Sequence, residues 1–391
     1  MASSPNYDIA VVGGGPVGAA AALALGQAGF RLVLLEAAAP PPAFGANRYS
    51  SHVYALSRAS HRLLDEVGVW SGIATQRVSP YAAMRVWVDA PERGLDFRSS
   101  GMAVAELGWI VEHELLMDAL WRALPGIEVD VVADAGAVRR EMDGAASRLH
   151  FAGGRCISAR LVVAADGSAS ALRRAAEIDT VGWGYAQRAI VCNVTTGVPH
   201  QGSCWQRFLR TGPVALLPLA DGRSSLVWSV DDDLAQELLK LDDAGFVARL
   251  GQAMPRFAPV TAPTPRFSFP LRLLHAVDYT APGLVLVGDA AHTLHPLAGQ
   301  GVNLGLGDVA ALRRALTAAR HAGRDWAGSR PLAAYARARR ADNVEMLAVT
   351  DLLQRAFALS VPGVRGMLGA GLAAVGWAAP LKGWLARQAL G

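Results

Sequence analysis

The chain opens on a short apolar run, YDIAVV, then a glycine turn, then residues 16–28, whose alanines and leucines suit a buried helix. RLVLLE reads as a second buried strand, with the PPPAF segment after it as loop. This strand, glycine turn, helix, strand order over the first 36 residues predicts the start of a βαβ unit. Residues 55–70 set Leu56, Ala59, Leu63, Leu64 and Val67 on one helical face, and 112–123 return to the same period. MRVWV at 84–88 alternates like a strand, and RREMDGAASRLHF predicts a hairpin turning at Asp143-Gly144. Between about 181 and 270 short β-rich runs dominate (AIVCNVTT, CWQRFL, VALLPL, SLVWSV), with one helical pattern after Asp233. GLVLVGDAAH then restores a buried strand before helical stretches at 302–320 and 331–357. The expected fold class is α/β: a discontinuous Rossmann-like domain, a β-rich domain inserted into it, and C-terminal helices.

Composition narrows the classes. With 52% hydrophobic and 18% charged residues over 391 positions, disorder is excluded and an apolar cleft or surface is expected. A net charge of only +4, without a Lys/Arg block, argues against nucleic acid as the main partner. Three cysteines, Cys156, Cys192 and Cys204, lack CxxC spacing and suit a reducing compartment better than a disulfide framework or zinc site. Residues 9–25 resemble a signal-peptide core, but Asp8 stands where a positive charge should precede them. The apolar run at 366–381 is shorter than the ~20 residues that span a bilayer. A cytoplasmic protein is expected.

Three segments carry the chemistry. In Gly13-x-Gly15-x-x-Gly18, Gly13 permits the tight turn and Gly15 lets the backbone approach a pyrophosphate. Gly18 lets helix and strand pack closely, and Pro16 and Val17 open the helix whose N–H groups face the anion. Glu36, ending the next strand, is placed to take both ribose hydroxyls, which disfavours a 2′-phosphate. The second segment is LVVAADGSASALRR, with Asp166-Gly167 ending a strand and Ser170 and Arg173 following. In the third, VGDAAHTLHPLAGQGVNLGLGDV, Gly288-Asp289 ends a strand and Gly299-Gln300-Gly301 opens a helix. A helix N-terminus there favours negative charge.

Together these segments resemble the flavoprotein aromatic hydroxylases of the p-hydroxybenzoate hydroxylase fold, in the glycine fingerprint, DGxxSxxR and GDAAHxxxPxxGxG. Segments such as HVYALSRASHRLLDEVGVW, WIVEHELLMDAL, PHQGSCWQRFL and HPLAGQGVNLGLGDVAAL are similar to the ubiquinone-biosynthesis hydroxylase branch, a likeness covering nearly the whole chain. The resemblance implies an FAD-binding domain over residues 1–80, 101–180 and 271–345, a β-rich substrate domain over 81–100 and 181–270, and a C-terminal helical region over 346–391. It implies that Gly13, Gly15, Pro16, Val17, Gly18 and Glu36 bind the ADP part of FAD, and that Gly288 and Asp289 hold the ribityl region. Gly299, Gln300, Gly301, Val302 and Asn303 would line the isoalloxazine. Asp166, Gly167 and Arg173 would link the FAD site to a passing NAD(P)H, the expected electron donor. Two departures stand out. His52 replaces the arginine many relatives carry in the run RV-x-A-L-S, and His113 replaces an asparagine after IVE. Both positions are expected near the flavin.

The implied reaction delivers hydride from nicotinamide to FAD, and O2 then forms a flavin C4a-hydroperoxide that hydroxylates a prenylated phenol. The cofactor supplies the chemistry and the protein supplies orientation, dryness and proton control. No metal centre is expected: His292 and His295 read better as turn histidines, with His52, His295 and Pro296 beside the reacting ring. Trp183, Trp205 and Trp228 fall in the β-rich stretch, where core packing is the first expectation and a cleft lining the second. Association with a ubiquinone-biosynthesis complex and peripheral contact with the inner membrane, through the apolar and cation-flanked 355–391, complete the expectation. Two other readings stay open: a related-fold flavoenzyme on another aromatic substrate, and a non-catalytic flavoprotein component of a complex. A tryptophan halogenase would need a WxWxIP run, which the sequence lacks.

Overall fold

A parallel sheet brings the ends of all three motifs side by side. In the computed structural model, which describes residues 6–45, 48–294 and 300–358, the strands Leu284–Leu286, Arg155–Ala164, Tyr7–Val12, Leu32–Leu35 and Val129–Val132 lie in that order, each parallel to the next. The runs 9–12, Leu32–Leu35, 161–164 and Leu284–Leu286 are short, continuous and apolar because both faces are covered, whereas Val129–Val132 at the edge carries the exposed Asp130 and Val131. The helix Pro16–Gln27, fully buried from Gly18 to Leu25, covers one face; its alanines let it sit close. The glycine turn follows Val12, Glu36 follows Leu35, the Asp166 loop follows Ala164, and the Gly288 turn follows Leu286. All open at the carboxyl ends of neighbouring parallel strands, where open α/β sheets bind ligands.

A second, nine-stranded sheet is built on the long strand Thr180–Thr196, flanked by Phe267–Ala276 and Ser224–Asp231. It also takes in Ala83–Trp87 and Leu95–Arg98, from far earlier in the chain, through parallel pairing of Ala83–Trp87 with Ser203–Leu209. One face packs Ile190, Cys192, Val194, Val214 and Trp228 against the helices Asp232–Lys240 and Asp243–Ala253. A small three-stranded sheet, Val53–Leu56, Gly108–Glu112 and Ser79–Tyr81, lies alongside.

Two local expectations are corrected. The stretch 55–70 is not one helix: Val53–Leu56 is a strand, and Ser57 caps a helix Arg58–Glu66 by accepting from the Ser60 amide. Leu56 therefore belongs to sheet core, because the serine hydroxyl starts the helix two residues later than the apolar period suggests. The single helical pattern after Asp233 is two helices, since Asp242 caps a second one through the Gly245 amide. The Asp143-Gly144 hairpin forms as expected, with Gly144 at φ +63°. Among the described residues no helix is long and apolar enough to cross a membrane. His295, Pro296, Gly299 and the region from residue 359 onward lie outside the described residues.

Candidate active site

The glycine turn has a shape that only glycine allows in two places, and leaves room in a third. Gly13 has φ +102°, and a Cβ there would lie 2.3 Å from the Ala165 carbonyl oxygen. A Cβ on Gly18 would lie 1.8 Å from the Gly13 carbonyl oxygen. Around Gly15 nothing among the described residues lies within 4 Å of the corresponding position. Gly15 is the N-cap of the Pro16–Gln27 helix, without a side-chain cap, so the first helical N–H groups face that open space. An anion fits there. Glu36, half-buried, accepts from the amides of Gly14 and, at 3.0 Å, Ala38, while Trp121 Nε1 donates to the Gly14 carbonyl at 2.9 Å and braces the turn from below. Val17 does not reach the open space: it packs between Gly288 and Gly305, where added Cβ atoms would lie 3.1 and 2.5 Å from its methyls. Its role is to seat the helix on the third motif.

The second motif is a brace with one group to spare. Asp166 Oδ2 accepts from the Leu172 amide at 3.2 Å, Gly167 has φ +78°, and Ser170 caps the short helix Ala171–Ala175. Asp166 Oδ1 is buried without a partner among the described residues, which suits a ligand donor. Arg173, buried, donates to the carbonyls of Ala290 at 2.7 Å and Ser168 at 2.9 Å. It ties the second motif to the third.

Gly288, at φ +58°, turns the chain beyond the strand end and leaves Asp289 exposed. The Asp289 carboxylate makes no hydrogen bond or ion pair among the described residues and is open to solvent on one side. Surrounding protein still desolvates it enough to raise its pKa against the pull of His292 and Arg272. A ligand hydroxyl is the natural partner for such a carboxylate. Asp289→Ala is therefore expected to weaken FAD binding about tenfold to hundredfold, the worth of a charge-assisted hydrogen bond of ~1.5–3 kcal/mol. Titration of apoprotein with FAD, followed by flavin fluorescence, checks this; equal affinities would misplace Asp289.

Behind the turn stands a group the sequence did not single out. Asp308 is fully buried and accepts at Oδ2 from the Gly288 amide (2.9 Å) and His292 Nε2 (2.6 Å), and at Oδ1 from Arg339 Nε (2.8 Å). Arg339 Nη2 reaches Asn343 at 2.9 Å, and Asn343 reaches the Tyr279 hydroxyl at 3.0 Å. Burial alone would raise the Asp308 pKa, but His292 and Arg339 outweigh it and hold the carboxyl below its ordinary value. His292 is a buried partner of this carboxylate, a firmer role than that of a turn histidine. The available signal was the repeated Gly-Asp in GVNLGLGD and the charges of ARARRADN.

Asn303 also differs from expectation. Its side chain is committed to protein, accepting from the Ser57 amide (2.9 Å) and Ser60 Oγ (2.7 Å) and donating to the Ala55 carbonyl (2.8 Å). It thereby pins the start of the Gln300–His321 helix to the Val53–Leu56 strand, while Val302 is buried in the core. A flavin contact there falls to backbone. Among the described residues, Gly301 has nothing within 4 Å of a would-be Cβ.

The two departures meet. The His52 and His113 rings stack at 4.9 Å with planes 8° apart, and the Tyr54 hydroxyl bonds His113 Nδ1 at 2.8 Å. Burial and the neighbouring His113 push His52 down to about 4, and burial lowers His113. At neutral pH both are uncharged. Asp289 adds to the burial that raises the Tyr54 pKa, so the cluster borders the Gly288-Asp289 turn. Where an arginine would place a fixed cation, this chain has a neutral aromatic wall. Trp228 sits in the helix-covered core and Trp205 packs against it, whereas Trp183 is exposed on the other face of the sheet.

Comparisons with known proteins bear on the family and the fold. A family model described as FAD binding domain matches residues 6–350. The chain is 38% identical over 394 residues to the 3-demethoxyubiquinol 3-hydroxylase of Escherichia coli, covering 100% of both. It is 34% identical to the human mitochondrial ubiquinone biosynthesis monooxygenase COQ6, covering 96% of this chain and 91% of that one. Among solved structures, Pseudomonas aeruginosa PqsL in complex with 2-aminobenzoylacetate superposes with a TM-score of 0.78 at 24% identity, covering 94% of this chain and 99% of that one, a likeness of fold. The chain belongs to the FAD-binding monooxygenases of the aromatic-hydroxylase fold. Within that family it falls in the ubiquinone-biosynthesis hydroxylase branch, and it is an FAD-dependent aromatic-ring monooxygenase.

Proposed function

We propose that this enzyme hydroxylates the aromatic ring of a polyprenylated ubiquinone precursor, with NAD(P)H as electron donor and O2 as oxidant. The observation that carries the reading is the convergence of the open Gly15 turn, Glu36 and the unpartnered Asp289 along one sheet edge, in a chain 38% identical end to end to a named ubiquinol hydroxylase. FAD, when bound, supplies the oxygen-activating chemistry. The protein's own groups do the rest. The Gly13–Gly18 turn takes the pyrophosphate, and Glu36 trades its bonds to Gly14 and Ala38 for ribose hydroxyls. Asp289 fixes the ribityl chain, and the N–H groups from Gln300 to Asn303 stabilise negative charge on the isoalloxazine edge. The neutral His52, Tyr54 and His113 cluster would present an aromatic surface beside the Gly288-Asp289 turn without adding charge. His52, pushed down to about 4, stays neutral as pH falls from 7 toward that value, and burial lowers His113 in the same direction.

Two further parts of the reading concern surroundings. Asp166, with one oxygen left over, is the group we assign to the passing nicotinamide. Peripheral membrane contact, or delivery by a biosynthetic complex, brings the lipid-soluble substrate. The test is NADH and NADPH oxidation by the purified, FAD-loaded protein. A prenylated phenol is expected to accelerate it severalfold; a rate indifferent to every such phenol would favour a non-catalytic flavoprotein instead.

A further inference from the structure

One flank of the helix Arg58–Glu66 carries Arg58, His61 and Arg62, which their three- and four-residue spacing sets side by side. Across from it run residues 103–106, turned by Ala103 at φ +53°, and Trp109 of the strand Gly108–Glu112. Between them lies a cleft of about 370 Å³, lined by Arg58, His61, Arg62, Glu106 and Trp109 among others. The helix meets the Gln300–His321 helix on a different face, where the Ser57 amide and Ser60 hydroxyl reach Asn303.

The lining joins an aromatic wall to separate charges. His61 stacks on Trp109 with centroids 4.4 Å apart and planes 20° apart, and Trp70 meets both edgewise at 4.3 and 5.4 Å. Burial and the two arginines lower the His61 pKa against the pull of Asp65 and Glu106, so this wall is uncharged at neutral pH. Arg58, Arg62 and Glu106 thus converge on one ring, yet they do not neutralise one another. Arg58 donates to the Glu106 carbonyl at 3.3 Å and not to its carboxylate. Among the described residues, neither Arg62 nor the Glu106 carboxylate has a hydrogen bond or ion pair. Two like charges four residues apart on one helix flank repel. An anion between them removes the conflict.

We propose that this cleft binds a small aromatic acid, with its ring against the His61 and Trp109 wall and its carboxylate between Arg58 and Arg62. A ring hydroxyl then donates to the Glu106 carboxylate. The size suits one ring: the volume is at the lower end of the roughly 300–1,000 Å³ of small-molecule pockets and above the ~150 Å³ that holds benzene. A dinucleotide or a protein segment does not fit. The planar guanidinium fork matches a carboxylate, and beside an uncharged aromatic wall it favours an aryl acid over a bare inorganic anion. An acid held here ties residues 103–106 to the helix that Asn303 links to the flavin site, and takes no part in the reaction itself.

The test is calorimetric titration of the FAD-loaded, full-length protein with 4-hydroxybenzoate at low salt. Wild type is expected to bind it with a Kd of about 0.1–1 mM, in the range open to so small a ligand, and severalfold more tightly than benzoate. Arg62→Glu, an exposed change that sets an acid beside Arg58, should keep its melting temperature and FAD content and lose at least tenfold in affinity. Glu106→Ala should bind the two acids equally. No binding by wild type would overturn the site. Equal affinity of wild type and Arg62→Glu would overturn it too, and would move the acid to the flavin cleft. Displacement of the acid by an equal concentration of inorganic phosphate would reduce the site to a simple anion patch and likewise overturn it. None of these measurements uses turnover, so they stand or fall apart from the ring-hydroxylase reading.

Discussion

Replacing Gly15 with leucine is expected to give a protein that folds, melts within a few degrees of wild-type apoprotein, and purifies without colour. Gly15 has φ −64°, which any residue adopts, and no atom of the described residues lies within 4 Å of where its Cβ would stand. The folded chain loses only a modest cap preference, ~1 kcal/mol or less. The open space is where the pyrophosphate must approach the helix N-terminus. A leucine there obstructs the ligand and not the fold. Gly18→Ala should fail differently. Its Cβ would stand 1.8 Å from the Gly13 carbonyl oxygen, so helix and strand must separate and the protein should be insoluble or strongly destabilised. FAD content by absorbance, with calorimetric melting of both variants, separates the outcomes. A yellow Gly15→Leu protein of normal FAD content would show that the pyrophosphate lies elsewhere.

Asp308→Ala should be among the most damaging single changes in the chain, costing about 3–5 kcal/mol because it removes the buried counter-ion of Arg339 and leaves only the exposed Asp342 paired with it. The Gly288 amide and His292 Nε2 lose their acceptor in the same step, so FAD affinity should fall with stability. Acid should mimic the variant. The folded-state carboxyl is held below its ordinary value, so its contribution is full above that value and disappears as pH falls through the depressed one. Wild type should therefore lose stability at low pH more steeply than Asp308→Asn, measured by melting at a series of pH values. Matching pH profiles would remove Asp308 from its supporting role.

Much of the nucleotide site was legible because its signals are local. Gly13, Gly18 and Gly288 are written by backbone geometry, and a glycine that must be glycine leaves a spacing that can be read. The parallel sheet followed for the same reason, from short apolar runs at the right intervals. What was not legible depends on contacts between distant segments. Asp308 is a helical aspartate whose local mark is no more than a repeated Gly-Asp, and only the fold brings His292 and Arg339 to it. Asn303 looked like a flavin contact because of its motif, yet its side chain serves Ser57, Ser60 and Ala55, some 240 residues earlier. The stacking of His52 on His113 could not be foreseen, since each departure was visible but their pairing across two antiparallel strands was not. The helix boundaries near Ser57 and Asp242 were missed because a hydroxyl or carboxylate cap outranks the apolar period that continues past it.

The central claim is that this chain, with FAD and a reduced nicotinamide, inserts one oxygen atom from O2 into the ring of a prenylated ubiquinone precursor. The most direct test supplies the purified holoprotein with NADH or NADPH, such a phenol, and isotopically heavy dioxygen in ordinary water, and weighs the product. The account predicts a hydroxylated ring carrying a single heavy oxygen. A ring hydroxyl drawn from water, or nicotinamide consumption that ends only in hydrogen peroxide for every prenylated phenol offered, would contradict it.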